Sequence, residues 1–156
     1  MYEKILIPLD GSSVGEAALR NVEELVTRIS PDIKLEIVLL KVVPYVTFNV
    51  LTLDPGAQMP LNSNEYEELE KESLDYLDKI AAPIRERGIQ VKSIVKVGSS
   101  AEEIIKTAKE TGASLIAMST HGFSGIKRWA LGSVTDEVLK TSEVPILVIR
   151  AREKPV

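Results

Sequence analysis

Five short stretches of this chain are mostly aliphatic, and segments with a helical repeat of apolar positions separate them. The stretches are Glu3 to Asp10 (EKILIPLD), Leu35 to Val43 (LEIVLLKVV), Ile89 to Gly98 (IQVKSIVKVG), Ala113 to Thr120 (ASLIAMST) and Val144 to Arg150 (VPILVIR). Runs this short and this rich in Val, Ile and Leu predict strands covered on both faces. Behind the first, Ala18, Val22, Leu25, Val26 and Ile29 fall at helical spacing. Ser13 and Glu16 form a capping box there, and Pro31 ends the helix. Asn64 to Arg87 predicts a longer amphipathic helix carrying Leu69, Leu77, Ile80 and Ile84, with a kink expected at Pro83 and Gly88 suited to the C′ position. Ser100 and Glu103 make a second capping box before Ile104, Ile105 and Ala108, and Gly112 closes that helix. A last helix runs from about Ser133 to Thr141. Strand and helix alternate throughout, which implies one α/β domain: an open parallel sheet of five strands with helices on both faces and right-handed crossovers.

Two segments stand outside this alternation. Pro44 to Ser63 holds three prolines, Asn and Gly, and reads as a long mobile loop, able to close as a lid or to contact a second subunit. The residues after position 150 read as a C-terminal tail, so the domain is expected to span 1–150. The acidic stretch Glu65 to Glu72 reads as a solvated helix face.

Composition removes several classes of function. There is no cysteine and only one histidine, which excludes disulfides, thiolate metal sites and His-rich metal sites. A net charge of −4 argues against non-specific nucleic-acid binding. No apolar run approaches the roughly 20 residues of a membrane span, and no signal-peptide pattern opens the sequence. A cytoplasmic protein without membrane or nucleic-acid partners is expected.

In a doubly wound sheet, ligands bind beyond the carboxyl ends of the strands, where strand order reverses. The first strand ends Pro8-Leu9-Asp10-Gly11, the second near Val42, and the fourth at Met118-Ser119-Thr120-His121-Gly122. Ten residues after Gly122, Gly132-Ser133-Val134-Thr135 opens a helix. Free N–H groups at a helix start favour phosphate, glycine lets a ligand approach closely, and the two hydroxyls add donors. The bland alternative is an ordinary turn followed by an ordinary helix start, and spacing alone leaves both open. Neither Gly-x4-Gly-Lys-Ser/Thr nor Gly-x-Gly-x-x-Gly occurs.

At these residues the chain resembles the universal stress protein (UspA-like) family. KILIPLDGS, LLKVV, THGFSG, LGSVTDEVL and VPILVIR carry the resemblance along nearly the whole length. The ATP-binding branch is marked by Gly-x2-Gly-x9-Gly-Ser/Thr, and here the register reads Ser119-x2-Gly122-x9-Gly132-Ser133, with serine for the first glycine. The resemblance implies strand order 3-2-1-4-5 in an adenine nucleotide α-hydrolase-like fold. It implies ATP, with Mg or Mn as an accompanying ion, held between strands one and four. By position, Pro8, Leu9 and Asp10 would meet the ribose or adenine side, and Val42 the adenine. Met118 and Ser119 would flank the nucleotide, and Gly122, Gly132, Ser133, Val134 and Thr135 would hold phosphates. It also implies a homodimer through the last strand, Val144 to Arg150.

Asp10 has two readings, as a cap for its own turn or as an acceptor for ribose hydroxyls or a divalent ion. His121 has no evident catalytic partner. Lys127 and Arg128 fit either phosphate neutralisation or a solvated face. Three functions follow: a dimeric, nucleotide-binding regulatory or sensor module in stress response, a nucleotide-free dimeric scaffold, or a slow ATPase. No general base presents itself for the last.

Overall fold

The computed structural model describes residues 3–28, 35–45, 47–49, 58–60, 63–121 and 131–151. Its elements, in chain order, are β1 (Lys4–Pro8), α1 (Gly15–Arg28), β2 (Glu36–Val43), β3 (Thr47–Asn49), β4 (Gln58–Pro60), α2 (Ser63–Glu86), β5 (Gln90–Val97), α3 (Ser100–Thr111), β6 (Leu115–His121), α4 (Ser133–Thr141) and β7 (Ile146–Ala151). The five aliphatic runs form one parallel sheet in the order β5-β2-β1-β6-β7. Numbered among themselves, those strands run 3-2-1-4-5, the order that the resemblance implied.

The sheet is covered on both faces because successive side chains of a strand point to opposite sides. Ile5, Ile7, Ile37 and Leu39 pack with Ala18, Leu19 and Val22 of α1 and Leu77, Ala81 and Ile84 of α2. Leu6, Val38, Leu40 and Ile116 pack the other way, against Ala101, Ile104 and Ala108 of α3 and Val138 of α4. Leu6, Ile7, Val38 and Leu39 are wholly shielded from solvent. Strands buried this way have no polar face, and so their sequences read as continuous apolar runs. β7 is an edge strand, and Ile146, Leu147, Val148 and Ile149 on it are only half-buried.

Three details differ from the sequence reading. The first helix is capped by Ser12 rather than Ser13: the Gly15 N–H donates to Ser12 Oγ at 3.0 Å, and the Glu16 N–H to the Ser12 carbonyl at 3.2 Å. α3 has Ser99 as its N-cap, with Ser100 already inside the helix and no side-chain cap, so the Ser100–Glu103 box does not form. Just before it, Gly98 has a φ of +155°, and a Cβ built there would sit 2.9 Å from Glu103 Cγ. The last strand runs Ile146–Ala151, starting two residues and ending one residue later than expected, and Val144 before it is held in a turn by Ser142, whose Oγ accepts the Val144 N–H at 3.1 Å.

Within the stretch 44–63, residues 47–49 and 58–60 pair antiparallel, with Phe48 opposite Met59. Residues 46, 50–57, 61 and 62 lie outside the described residues. The same holds for 122–130, which include Gly122, Lys127, Arg128 and Trp129, and for the tail 152–156. α2 continues through Pro83 to Glu86. No helix among the described residues is long and apolar enough to cross a membrane.

Candidate functional site

β1 is the point where strand order reverses: β2 lies on one side of it and β6 on the other. α1 leaves β1 toward one face of the sheet, while α3 and α4 cover the opposite face. The helices diverge there and leave a crevice above the carboxyl ends of the strands. A cavity of about 430 Å³ occupies it. Volumes of roughly 300–1,000 Å³ are usual for small-molecule sites.

The cavity gathers sequence-distant groups. Pro8, Leu9 and Asp10 come from the end of β1, Val42 from β2, and Met118 and Ser119 from β6. Gly132, Ser133, Val134 and Thr135 come from the start of α4. These are all the residues expected to bind the ligand except Gly122, which lies outside the described residues. Val14, Gly15, Ser100, Ile104, Thr120 and Leu131 also line the cavity and were not among the expected ligand-binding residues.

Two helix starts face this space. Gly132 is the N-cap of α4, with φ −60° and ψ 150°, and no side chain caps the helix. The first N–H groups of a helix have no partner within it, so the Ser133, Val134 and Thr135 amides are donors at the cavity wall, reinforced by the positive end of the helix dipole. The start of α3 is likewise uncapped by any side chain, and Ser100 brings it to the same wall. Spacing gave the helix but no hint that its start borders the site, because its serines looked like a self-contained capping box.

The β1–α1 turn forms the opposite wall. Asp10 Oδ1 accepts the Ser12 N–H at 2.9 Å and the Ser12 hydroxyl at 2.6 Å. Gly15 makes this packing possible, since a Cβ there would lie 2.6 Å from Asp10 Oδ1. The turn-capping role foreseen for Asp10 is therefore present at this oxygen. Gly11, at φ +94°, supplies the left-handed conformation that the turn needs.

Ser119 lies within β6, and no residue other than glycine has positive φ among the described residues. A serine here thus carries none of the left-handed strain that a replaced glycine would raise. Its hydroxyl donates to the Val14 carbonyl. On the far side of the same turn, Lys41 Nζ sits 4.8 Å above the centre of the Tyr76 ring. The Tyr76 hydroxyl donates to Glu16 Oε1 at 3.2 Å. Burial first, and then the Glu16 charge, push the Tyr76 phenol above the ordinary tyrosine range. Among the described residues, no group of three or more His, Asp or Glu stands together to hold a metal ion.

Comparison with known proteins settles the family. The family model described as "Universal stress protein family" matches residues 1–150. The chain belongs to the universal stress protein family. It is 33% identical to universal stress protein MJ0577 of Methanocaldococcus jannaschii over 97% of each chain. It is 30% identical to YxiE of Bacillus subtilis over 96% of this chain and all of that one. The solved structure of MJ0577 superposes with a TM-score of 0.73 over 99% of both chains, at 29% identity. Two more distant universal stress proteins, each 16% identical, share the fold at TM-scores of 0.61 and 0.60. One was solved in complex with cAMP, the other, from Arabidopsis thaliana, with AMP bound.

Proposed function

We propose that this universal stress protein binds ATP in the crevice between β1 and β6, as a member of the ATP-binding branch with Ser119 in place of the first motif glycine. The observation that carries the reading is the convergence of the uncapped α4 start with the ends of β1, β2 and β6 on one cavity. In this reading Val42 and the Pro8–Leu9 backbone border the adenine, and Asp10 faces the ribose. Ser133, Val134 and Thr135 take the phosphates, with Gly122 completing the grip from the other side of the arm. Charge-assisted hydrogen bonds contribute about 1.5–3 kcal/mol each. Four of them supply most of the roughly 8 kcal/mol of a micromolar affinity, before ordering costs are counted. A Mg or Mn ion would ride mainly on the phosphates, as hard cations at triphosphates usually do.

Adenine nucleotides bound to fold relatives support the ligand class. The half-buried apolar edge of β7 supports assembly as a homodimer, since an exposed strand edge is a template for pairing. The domain is taken as 1–150, and the role as a regulatory or sensor module in stress response.

Acid extraction of the purified protein, followed by ion-exchange chromatography, should release an adenine nucleotide. Titration of the stripped protein with Mg-ATP should give a micromolar dissociation constant. A stripped protein that takes up no ATP at millimolar concentration would leave the scaffold reading in its place. Sedimentation of the same preparation should give twice the monomer mass; a monomer at micromolar concentration removes the β7 pairing.

A further inference from the structure

Ser119 borders the cavity, yet its hydroxyl is committed elsewhere. Oγ donates to the Val14 carbonyl and lies 3.3 Å from the Gly15 carbonyl oxygen. A serine hydroxyl has one proton, so a donor held by these carbonyls is not offered to a ribose or a phosphate. The contact continues beyond Val14. The Gly15 N–H donates to Ser12 Oγ at 3.0 Å, and Ser12 in turn donates through both its hydroxyl and its N–H to Asp10 Oδ1. A single polar thread therefore runs from β6, through the start of α1 and the β1–α1 turn, to the carboxylate on the other wall. Gly15 keeps the thread short, because any side chain there would push Asp10 away.

We propose that Ser119 is a positioning residue: by tying the Val14 carbonyl to β6 it fixes the β1–α1 turn, and so sets the Asp10 carboxylate that tells ribose from deoxyribose. The proposal rests on the ATP reading of the cavity, with Asp10 at the sugar. A carboxylate that reads ribose hydroxyls depends on placement to about half an ångström, which neighbouring groups must enforce. A glycine at 119 would leave the Val14 carbonyl without this donor. The serine thus substitutes a rigid turn for the open space a glycine would give. The phosphates, held by α4, are not part of this thread, so the effect falls on the sugar.

Two measurements on the full chain test it. The first is titration calorimetry with ATP and with 2′-deoxy-ATP, on the unaltered protein and on Ser119→Ala, Asp10→Ala and the double variant. The unaltered protein should prefer ATP by about 10-fold, and Ser119→Ala should narrow that to about 2–3-fold with little change for 2′-deoxy-ATP. In the Asp10→Ala background, Ser119→Ala should change the ratio no further. The second is amide exchange without nucleotide. Exchange at Gly15 and Glu16 should quicken about 3–10-fold in Ser119→Ala while the core strands stay protected.

Equal weakening for both nucleotides would overturn the positioning role, as would unchanged exchange at Gly15 and Glu16. If the unaltered protein binds neither nucleotide, the site reading fails and the sugar-reading role fails with it. The exchange data, taken without ligand, then still report whether the Ser119 tie holds the turn.

Discussion

Gly132→Val should abolish ATP binding, lowering affinity by at least about 100-fold, while leaving the fold intact. The backbone at Gly132, with φ −60° and ψ 150°, is open to any L-residue. A Cβ built there meets no described atom within 4 Å. The substitution therefore introduces neither strain nor a clash with the described residues. Valine is a poorer N-cap than glycine, which costs under about 1 kcal/mol. What changes is the cavity. Three carbon atoms would stand where a phosphate must approach the Ser133, Val134 and Thr135 amides. Losing two charge-assisted hydrogen bonds of about 1.5–3 kcal/mol each accounts for a loss of 100-fold or more. Calorimetry with Mg-ATP and a thermal melt on the same sample check both halves. Unchanged affinity in a folded variant would remove the phosphate site from α4.

Ile7→Ala should destabilise the domain by about 3–4 kcal/mol, within the range for buried Ile→Ala changes. Ile7 lies in the central strand, wholly shielded, beside Leu39 in the sheet register. It packs among α1 and α2 side chains on the face away from α3. Its neighbours there are strands and helices fixed by the sheet on one side and by each other on the other, so the void closes poorly. For a domain of this size the loss corresponds to a fall in melting temperature of about 10 °C. Urea unfolding followed by circular dichroism checks it. A change below about 1 kcal/mol would show that the region under α1 and α2 repacks freely.

The sheet was legible in the sequence because both of its faces are buried. β1, β2 and β6 carry no polar face to confuse the period, so Ile5, Ile7, Val38 and Leu40 announce strand wherever they occur. Strand order is different. Periodicity cannot say that β6 lies beside β1, and that order came only from the resemblance. The short pair β3 and β4 left no trace, since three residues give no period to read. In the site, the strand ends and the Gly132–Thr135 helix start were readable from glycine and hydroxyl placement. Val14, Gly15 and Leu131 were not, because their part in the cavity is a matter of proximity across the fold. Gly15 carried the one usable signal: a glycine opening a helix, where alanine would serve the helix better, points to a close approach. The serine that caps α1 was misplaced by one residue because Ser12 and Ser13 are both good caps. The bond from the Gly15 N–H to Ser12 Oγ chooses between them.

Every neighbouring pair in the main sheet is parallel, so none can form as a simple hairpin. The seam between β1 and β6 is the most distant in sequence, with Ser114 Oγ bonded to the Lys4 carbonyl across 110 positions. Long-range pairing of this kind is slow, since the closure entropy must be met before the contact returns anything. On a ribosome, β1, β2 and β5 emerge well before β6, and the crevice has no second wall until β6 arrives. In the nucleotide-binding reading, the early nascent chain therefore has nothing to grip a ligand with, and binding competence waits until β6 and the start of α4 have joined the crevice.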